Sequence, residues 1–184
     1  MANLESELQT LRETVEKLEA QVTRLIDRQE IFDCAHRYTK GIDRRDWELL
    51  ASAYHDDAID QHGDVVGTRD EIVEYIRNVM KDWDYSVHFL DLNNLEIDGK
   101  TAHAESYVLF TQQRVDGGGL DFGGGRYLDR LEKRNGKWGI VVRRVVIDWS
   151  SRAETLMFGD VLSYRLGTWD RNDPSYQRPL TVDA

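Results

Sequence analysis

The hydrophobic repeat of this chain changes once, near residue 85, and that change restricts the fold more than any other feature. Before it, apolar residues recur in steps of three and four; after it, they fall in runs rich in β-branched and aromatic side chains. Strands are expected over residues 85–92, 101–114, 120–132 and 137–150. Asp98-Gly99-Lys100 and Asn135-Gly136 read as hairpin turns, and Gly117 to Gly119 as a longer loop. Helices first and consecutive hairpins afterwards predict an α+β domain, with helices on one face of an antiparallel sheet.

The helical half opens with a heptad seam. Leu8, Val15 and Val22 occupy one core position and Leu4, Leu11, Leu18 and Leu25 the other, and the positions between are mostly polar. A stripe this narrow suits a coiled coil better than a helix lying on its own domain, which presents a wider apolar face. The helix is expected to run on through Ile31, Phe32, Ala35 and Tyr38 and to stop near Gly41. Asp46 is placed to cap a second helix over 47–54. His55-Asp56-Asp57-Ala58 reads as a turn into a short strand, 59–62, and Gly63-Asp64 and Gly67 punctuate a hairpin. Asp70 starts a third helix, with Ile72, Ile76 and Met80 on one face. The organisation expected is an N-terminal coiled-coil-like helix (1–27), an α+β domain (28–150) and a C-terminal arm (151–184). Met157, Phe158, Val161, Leu162, Tyr164, Trp169 and Tyr176 make the arm too apolar for a disordered tail, so it is expected to cover a pocket mouth or a neighbouring subunit.

Composition removes several functional classes. Among 184 residues, 24 Lys and Arg stand against 34 Asp and Glu, a net charge of −10 that repels phosphate backbones, so no nucleic-acid partner is expected. One cysteine, Cys34, makes an intrachain disulfide impossible and fits a reducing compartment. No apolar run approaches the roughly 20 residues of a membrane span, and charge from Glu5 onward does not fit a secretory leader. A soluble, cytoplasmic chain with no membrane partner is expected. His55, Asp56, Asp57, Asp60, His62 and Asp64 invite a metal reading, but their spacing matches no zinc or calcium template. Gly117 to Gly119 and Gly123 to Gly125 flank strands, so they make no phosphate loop or dinucleotide fingerprint.

Two titratable residues remain: Asp43, in Tyr38-Thr39-Lys40-Gly41-Ile42-Asp43-Arg44-Arg45-Asp46-Trp47, and the isolated His88 in Tyr85-Ser86-Val87-His88-Phe89. Taken singly, each is most simply a turn acid and a packed strand histidine. The order of the chain gives them a context. A helix, "YTKGIDRRDWELLASAYHDDA", a hairpin, a helix and three long strands ending in "GGRYLDRLEKRNGKWGIVVRRVVIDWS" resemble the SnoaL-like branch of the nuclear-transport-factor-2-like superfamily over about residues 28–150. The resemblance implies a cystatin-like curved antiparallel sheet wrapped around helices into a conical pocket. Within the branch, the pattern is most similar to scytalone dehydratase, hexachlorocyclohexane dehydrochlorinase and bile-acid 7α-dehydratase, lyases without cofactors that work through an Asp–His dyad; the first two are trimers.

Carried over residue by residue, the resemblance implies Asp43 and His88 as the dyad and Tyr38 as a third catalytic residue. Arg143 matches an arginine on the last strand. His62 stands nineteen residues after Asp43, where two dehydratases of the branch have a pocket tyrosine. His62, Arg143 and Tyr127 are therefore the expected substrate-binding residues. Strand alternation places Arg143, Val145 and Ile147 on one face and Arg144 on the other. The expected function is a cofactor-independent, metal-free lyase on a small apolar cyclic or aromatic molecule, eliminating water, halide or a carbonyl fragment. His88 would be the base, Asp43 its orienting partner. The alternatives are an isomerase or cyclase in the same pocket, a non-catalytic binding or scaffold protein, and the small subunit of a ring-hydroxylating dioxygenase. A homo-oligomer is expected, a trimer before a dimer. If the enzyme reading holds, Asp43 lies within about 3.5 Å of a His88 ring nitrogen.

Overall fold

The computed structural model describes residues 2–154 and 167–179. Helix α1 (Ala2–Asp43) is one uninterrupted helix of 42 residues. Its first half holds together through local chemistry: Asn3 donates to Glu7 and Gln9 to Glu13, four residues on. From Asp27 onward the helix is docked. The Asp27 carboxylate accepts from the indole of Trp138 at 2.8 Å and from Lys133 at 2.6 Å. Burial opposes charge on Asp27, but these two donors together hold its carboxyl below its ordinary value. Ile31, Cys34, Ala35, Tyr38 and Ile42 then enter the core at helical spacing.

The helix ends two residues past Gly41, close to where it was expected to stop. Gly41 lies inside it because helix α2 (Trp47–Ala51) crosses there, with the Leu50 backbone nitrogen 2.6 Å from where a Cβ would sit. The chain turns at Arg45, which has φ of 50°. Asp46 caps α2 by accepting from the Leu49 amide. Helix α2 is shorter than expected, because strand β1 begins at Tyr54 and absorbs residues 55–58 (Tyr54–His62). What reads as a turn is an irregular part of the strand, held between the Tyr54–Ile140 and Ile59–Val142 pairings, and its acids pair at the rim: Asp56 with Arg69 and Asp57 with Arg134. Strand β2 (Val65–Thr68) closes a hairpin, and helix α3 (Arg69–Val79) follows with a Thr68–Glu71 capping box and buries Ile72, Val73 and Ile76. A 3₁₀ turn (Met80–Asp82) leads into β3 (Trp83–Asp98), β4 (Thr101–Arg114), β5 (Leu120–Arg134) and β6 (Lys137–Ala153).

The six strands form one sheet in the order β2-β1-β6-β5-β4-β3. The chain is thus α+β, with a long N-terminal helix and the remaining helices against the sheet. Four pairings are antiparallel, as expected; β1 and β6 run parallel, so the sheet is mixed. The expected strands are all present, β3 extended at both ends. Opposite the Gly124–Gly125 step, β6 carries an extra residue at Asp148, a bulge that increases the local twist. Among the described residues, no helix is long and apolar enough to cross a membrane. Met157, Phe158, Val161, Leu162 and Tyr164 lie outside the described residues; Trp169 and Tyr176 do not. The Trp169 ring stacks on Tyr85 at 5.8 Å, and the Tyr176 hydroxyl donates to Asp46. This part of the arm is fastened to the turn that ends α1.

Gly41→Ala tests the α1–α2 crossing. Alanine gains about 1 kcal/mol of helix propensity, but its Cβ meets Leu50 backbone, which has no flexible end to give way. Overpacking of about 1–3 kcal/mol prevails, and the urea midpoint of the variant should fall.

Candidate active site

Asp43 is the last residue of α1, and its side chain reaches the first turns of β3. Three donors on that strand meet it. The His88 Nδ1 lies 2.6 Å from Asp43 Oδ1, the Ser86 hydroxyl donates to the same oxygen at 2.9 Å, and the His88 backbone amide donates to Oδ2 at 2.9 Å. Ser86 and His88 share a strand face because they are two residues apart. An ionised carboxylate only accepts, so the bonded Nδ1 carries the proton and Nε2 presents its lone pair. The two side chains are only 7% and 13% exposed, so bulk water does not screen the pair.

His88 forms part of the wall of a cavity of about 170 Å³. Ile42, Ile76, Val79, Met80 and Val108 supply aliphatic wall, and Trp83, Phe110 and Tyr75 supply rings. Gly123 has no side chain because the Phe110 ring tip sits 2.7 Å from where its Cβ would be. His62 and Tyr127 also line the cavity, in register through Val145 on the strand between them. A larger depression of about 550 Å³ lies on the outer face of the sheet, among Asn94, Glu96, His103, Glu105 and Arg130. It is open to solvent and away from the acid–imidazole pair, so the smaller cavity is the candidate site.

Tyr38 and Arg143 lie one layer behind the cavity wall and do not line it. Arg143 is fully buried and spends its charge on Asp129, its register neighbour on β5, through two bonds of 2.7 and 2.6 Å. A buried guanidinium needs such a partner; Nη1 is left without a hydrogen bond among the described residues, but the side chain does not line the cavity. Its plane covers the Tyr38 ring at 4.0 Å and the Tyr127 ring at 4.5 Å. The Tyr38 hydroxyl is buried beside the Arg143 guanidinium and makes no hydrogen bond of good geometry among the described residues. Sequence reading missed Ser86 as a support of Asp43, although its spacing from His88 was visible. It also missed Trp83, Phe110 and Gln112 as wall, which nothing in their local sequence distinguishes from ordinary packing.

The acidic and histidine cluster does not converge. Asp56 and Asp57 point to arginines at the rim, His55 Nε2 meets the Glu132 carbonyl, and Asp60 is buried and accepts from Tyr54 at 2.6 Å. Among the described residues, no group of three or more His, Cys, Asp or Glu is arranged to hold a metal ion.

The site is thus an imidazole held by a carboxylate at the wall of a mostly apolar cavity, between helices and sheet. The chain belongs to the SnoaL-like domain family, whose model matches residues 23–144. Among solved structures, it is similar to hexachlorocyclohexane dehydrochlorinase type 3 of Novosphingobium barchaimii, at 22% identity and a TM-score of 0.67, covering 73% of this chain and 95% of that one. A candidate scytalone dehydratase of Novosphingobium aromaticivorans is 18% identical, with a TM-score of 0.66 over 73% of this chain and 92% of that one. A Mycobacterium tuberculosis protein of unknown function is 28% identical, with a TM-score of 0.61 over 67% and 77%. The first two likenesses are of fold. No functionally curated protein matches the sequence.

Two buried groups make stability depend on pH in opposite directions. Burial pushes the Asp60 carboxyl from 3.8 up to about 6, against the pull of Arg143 and the Tyr54 bond. The folded chain keeps that proton where the unfolded chain has lost it, so this contribution is full below about pH 4 and lost as pH rises through 6. Burial pushes His62 from 6.5 down to about 4, with Arg143 and His88 adding to it. Its contribution is full above 6.5 and lost as pH falls to 4. Relative to the parent chain, Asp60→Asn should lose stability between pH 7 and 4.5, and His62→Asn should gain it, each on the order of 2 kcal/mol. Urea midpoints at the two pH values check both; equal slopes in all three proteins would refute the assignment.

Proposed function

We propose that this protein is a cofactor-independent lyase that removes a leaving group from a small apolar cyclic or aromatic molecule. The observation that carries the reading is the Asp43–His88 pair, bonded through Nδ1 inside an apolar cavity. Family membership and the dehydratase and dehydrochlorinase folds it resembles support lyase- or isomerase-type chemistry. The pair supplies the step these reactions share. His88 Nε2 takes a proton from carbon or hydroxyl and Asp43 stabilises the imidazolium that forms. The electrons left behind make a new C=C or C=O bond as the leaving group departs with its own bonding pair. It leaves as halide, as hydroxyl that takes the proton back from the imidazolium and departs as water, or as a carbon fragment that takes the same proton while the carbonyl forms on the other half.

The other cavity groups fit a substrate with one polar edge. His62, kept neutral by burial and by the charge of Arg143, can accept from or donate to a substrate oxygen. Tyr127 lies beside it, with Tyr38 and Arg143 fixing its ring from behind. At about 170 Å³ the cavity is smaller than the roughly 300–1,000 Å³ of drug-sized sites, which suits a compact, single-ring substrate. A scaffold protein would have no use for a desolvated acid–imidazole pair.

The test is elimination from a panel of cyclic β-hydroxy ketones and halogenated rings, followed by ultraviolet absorbance and halide release. His88→Ala should lower turnover at least about a hundredfold. Asp43→Asn should keep the fold and lose a large part of the rate, because the imidazole is free to take the wrong tautomer. A chelator should leave turnover unchanged. Full activity in His88→Ala, with loss on chelation, would overturn the reading.

A further inference from the structure

We propose that residues 4–25 of α1 form a parallel, two-stranded coiled coil with a second copy of this chain. Every described side chain from residue 3 to 26 is exposed, and the first buried one is Asp27, at the joint with the domain. The seam therefore stands clear of its own domain, with Leu4 71% and Leu25 66% exposed to water. Its apolar residues keep strict alternate steps of four and three from Leu4 to Leu25, which only a helix of like repeat covers.

Strand number follows from the choice of residues. Valine occupies two of the three sites of the first core position, Val15 and Val22, with Leu8 at the third, and leucine occupies all four sites of the second. β-Branched residues at the first and leucine at the second favour two strands over three or four. Orientation follows from where the seam goes next. Seven residues beyond Leu25 the same position is Phe32, exposed although the helix there is docked on the domain, with its ring against His36 at 4.1 Å. In a parallel pair the two Phe32 side chains face each other at the base of the coil. In an antiparallel pair of the same seams, Phe32 lies beyond the first turn of the other helix and stays in water. The flanking positions agree: Glu7 faces Arg12 of the second copy, Thr14 faces Glu19, and Gln21 faces Ile26, so no like charges meet.

The inference is independent of the catalytic reading. Light scattering on the full chain at tens of micromolar should give about 43 kDa, twice the 21.4 kDa of one chain. A one-chain or three-chain mass overturns it. Leu4→Cys, oxidised, should yield a covalent pair, since the native Cys34 is buried and does not compete. If Leu4→Cys instead cross-links preferentially to Leu25→Cys in a mixture, the pair is antiparallel and the proposal fails. Leu11→Asp with Leu18→Asp should shift the mass from two chains to one while circular dichroism of the domain persists. Two-chain mass in that double variant would place the interface elsewhere and overturn it as well.

Discussion

Asp43 ends a 42-residue helix, where the last carbonyl groups already carry partial negative charge and disfavour another anion. The fold answers this with three donors from one short stretch of β3: a ring nitrogen, a hydroxyl and a backbone amide. This junction does more than hold a side chain. It fixes where α1 meets the sheet, orients the imidazole, and sets a concentrated negative field on the side of His88 away from the cavity. Positive charge developing on His88 is stabilised from the moment it forms. The turn after it, Arg44 to Asp46, is braced in turn by the arm: Arg44 pairs with Asp173 at 3.3 Å, and Arg171 and Tyr176 reach Asp46.

The layer behind the cavity complements that field. Arg143 and Asp129 form a closed ion pair among Tyr38, Tyr54 and Tyr127, so the aromatic cage is packed around a fixed charge. Burial and this guanidinium both oppose a proton on His62. The cavity thus contains two imidazoles. One is bonded to a carboxylate through Nδ1; the other faces a buried arginine that, with burial, opposes its protonation. Environment alone makes the surroundings of the two rings unlike.

How much of this was legible depends on the range of the interaction. The strands of the second half were readable because their turns, Gly99 and Asn135-Gly136, take the positive φ that only a few residues tolerate. The heptad seam was readable because it is local and periodic. Tyr54 to Ala58 was misread because its place is set at a distance: Tyr54 and Ile59 each pair with β6, more than eighty residues away, and residues 55–58 form the irregular stretch between those two pairings. The Asp43–His88 pair emerged only through family resemblance; nothing near either residue announces that the other lies 2.6 Å away. Arg143 shows the reverse difficulty. Alternation gave its face, but its partner Asp129 is chosen by strand register, which the local pattern does not reveal.

The sheet ends in two unlike edges. On one side is β2, four residues long; on the other is β3, sixteen residues that, among the described strands, pair on one flank only, with Asp43 and Arg45 meeting the other flank at the His88 amide and the Trp83 carbonyl. An edge of that length is a template on which another chain can zip. Here it is broken by irregularities near Asp84 and Asn93 and carries Asp84, Asp91, Glu96 and Asp98 along its length. Kinks spoil the straight ladder an incoming strand needs, and the acids repel a second copy of themselves. The same strand that presents His88 therefore carries, in its bulges and its acids, features that oppose edge-to-edge growth.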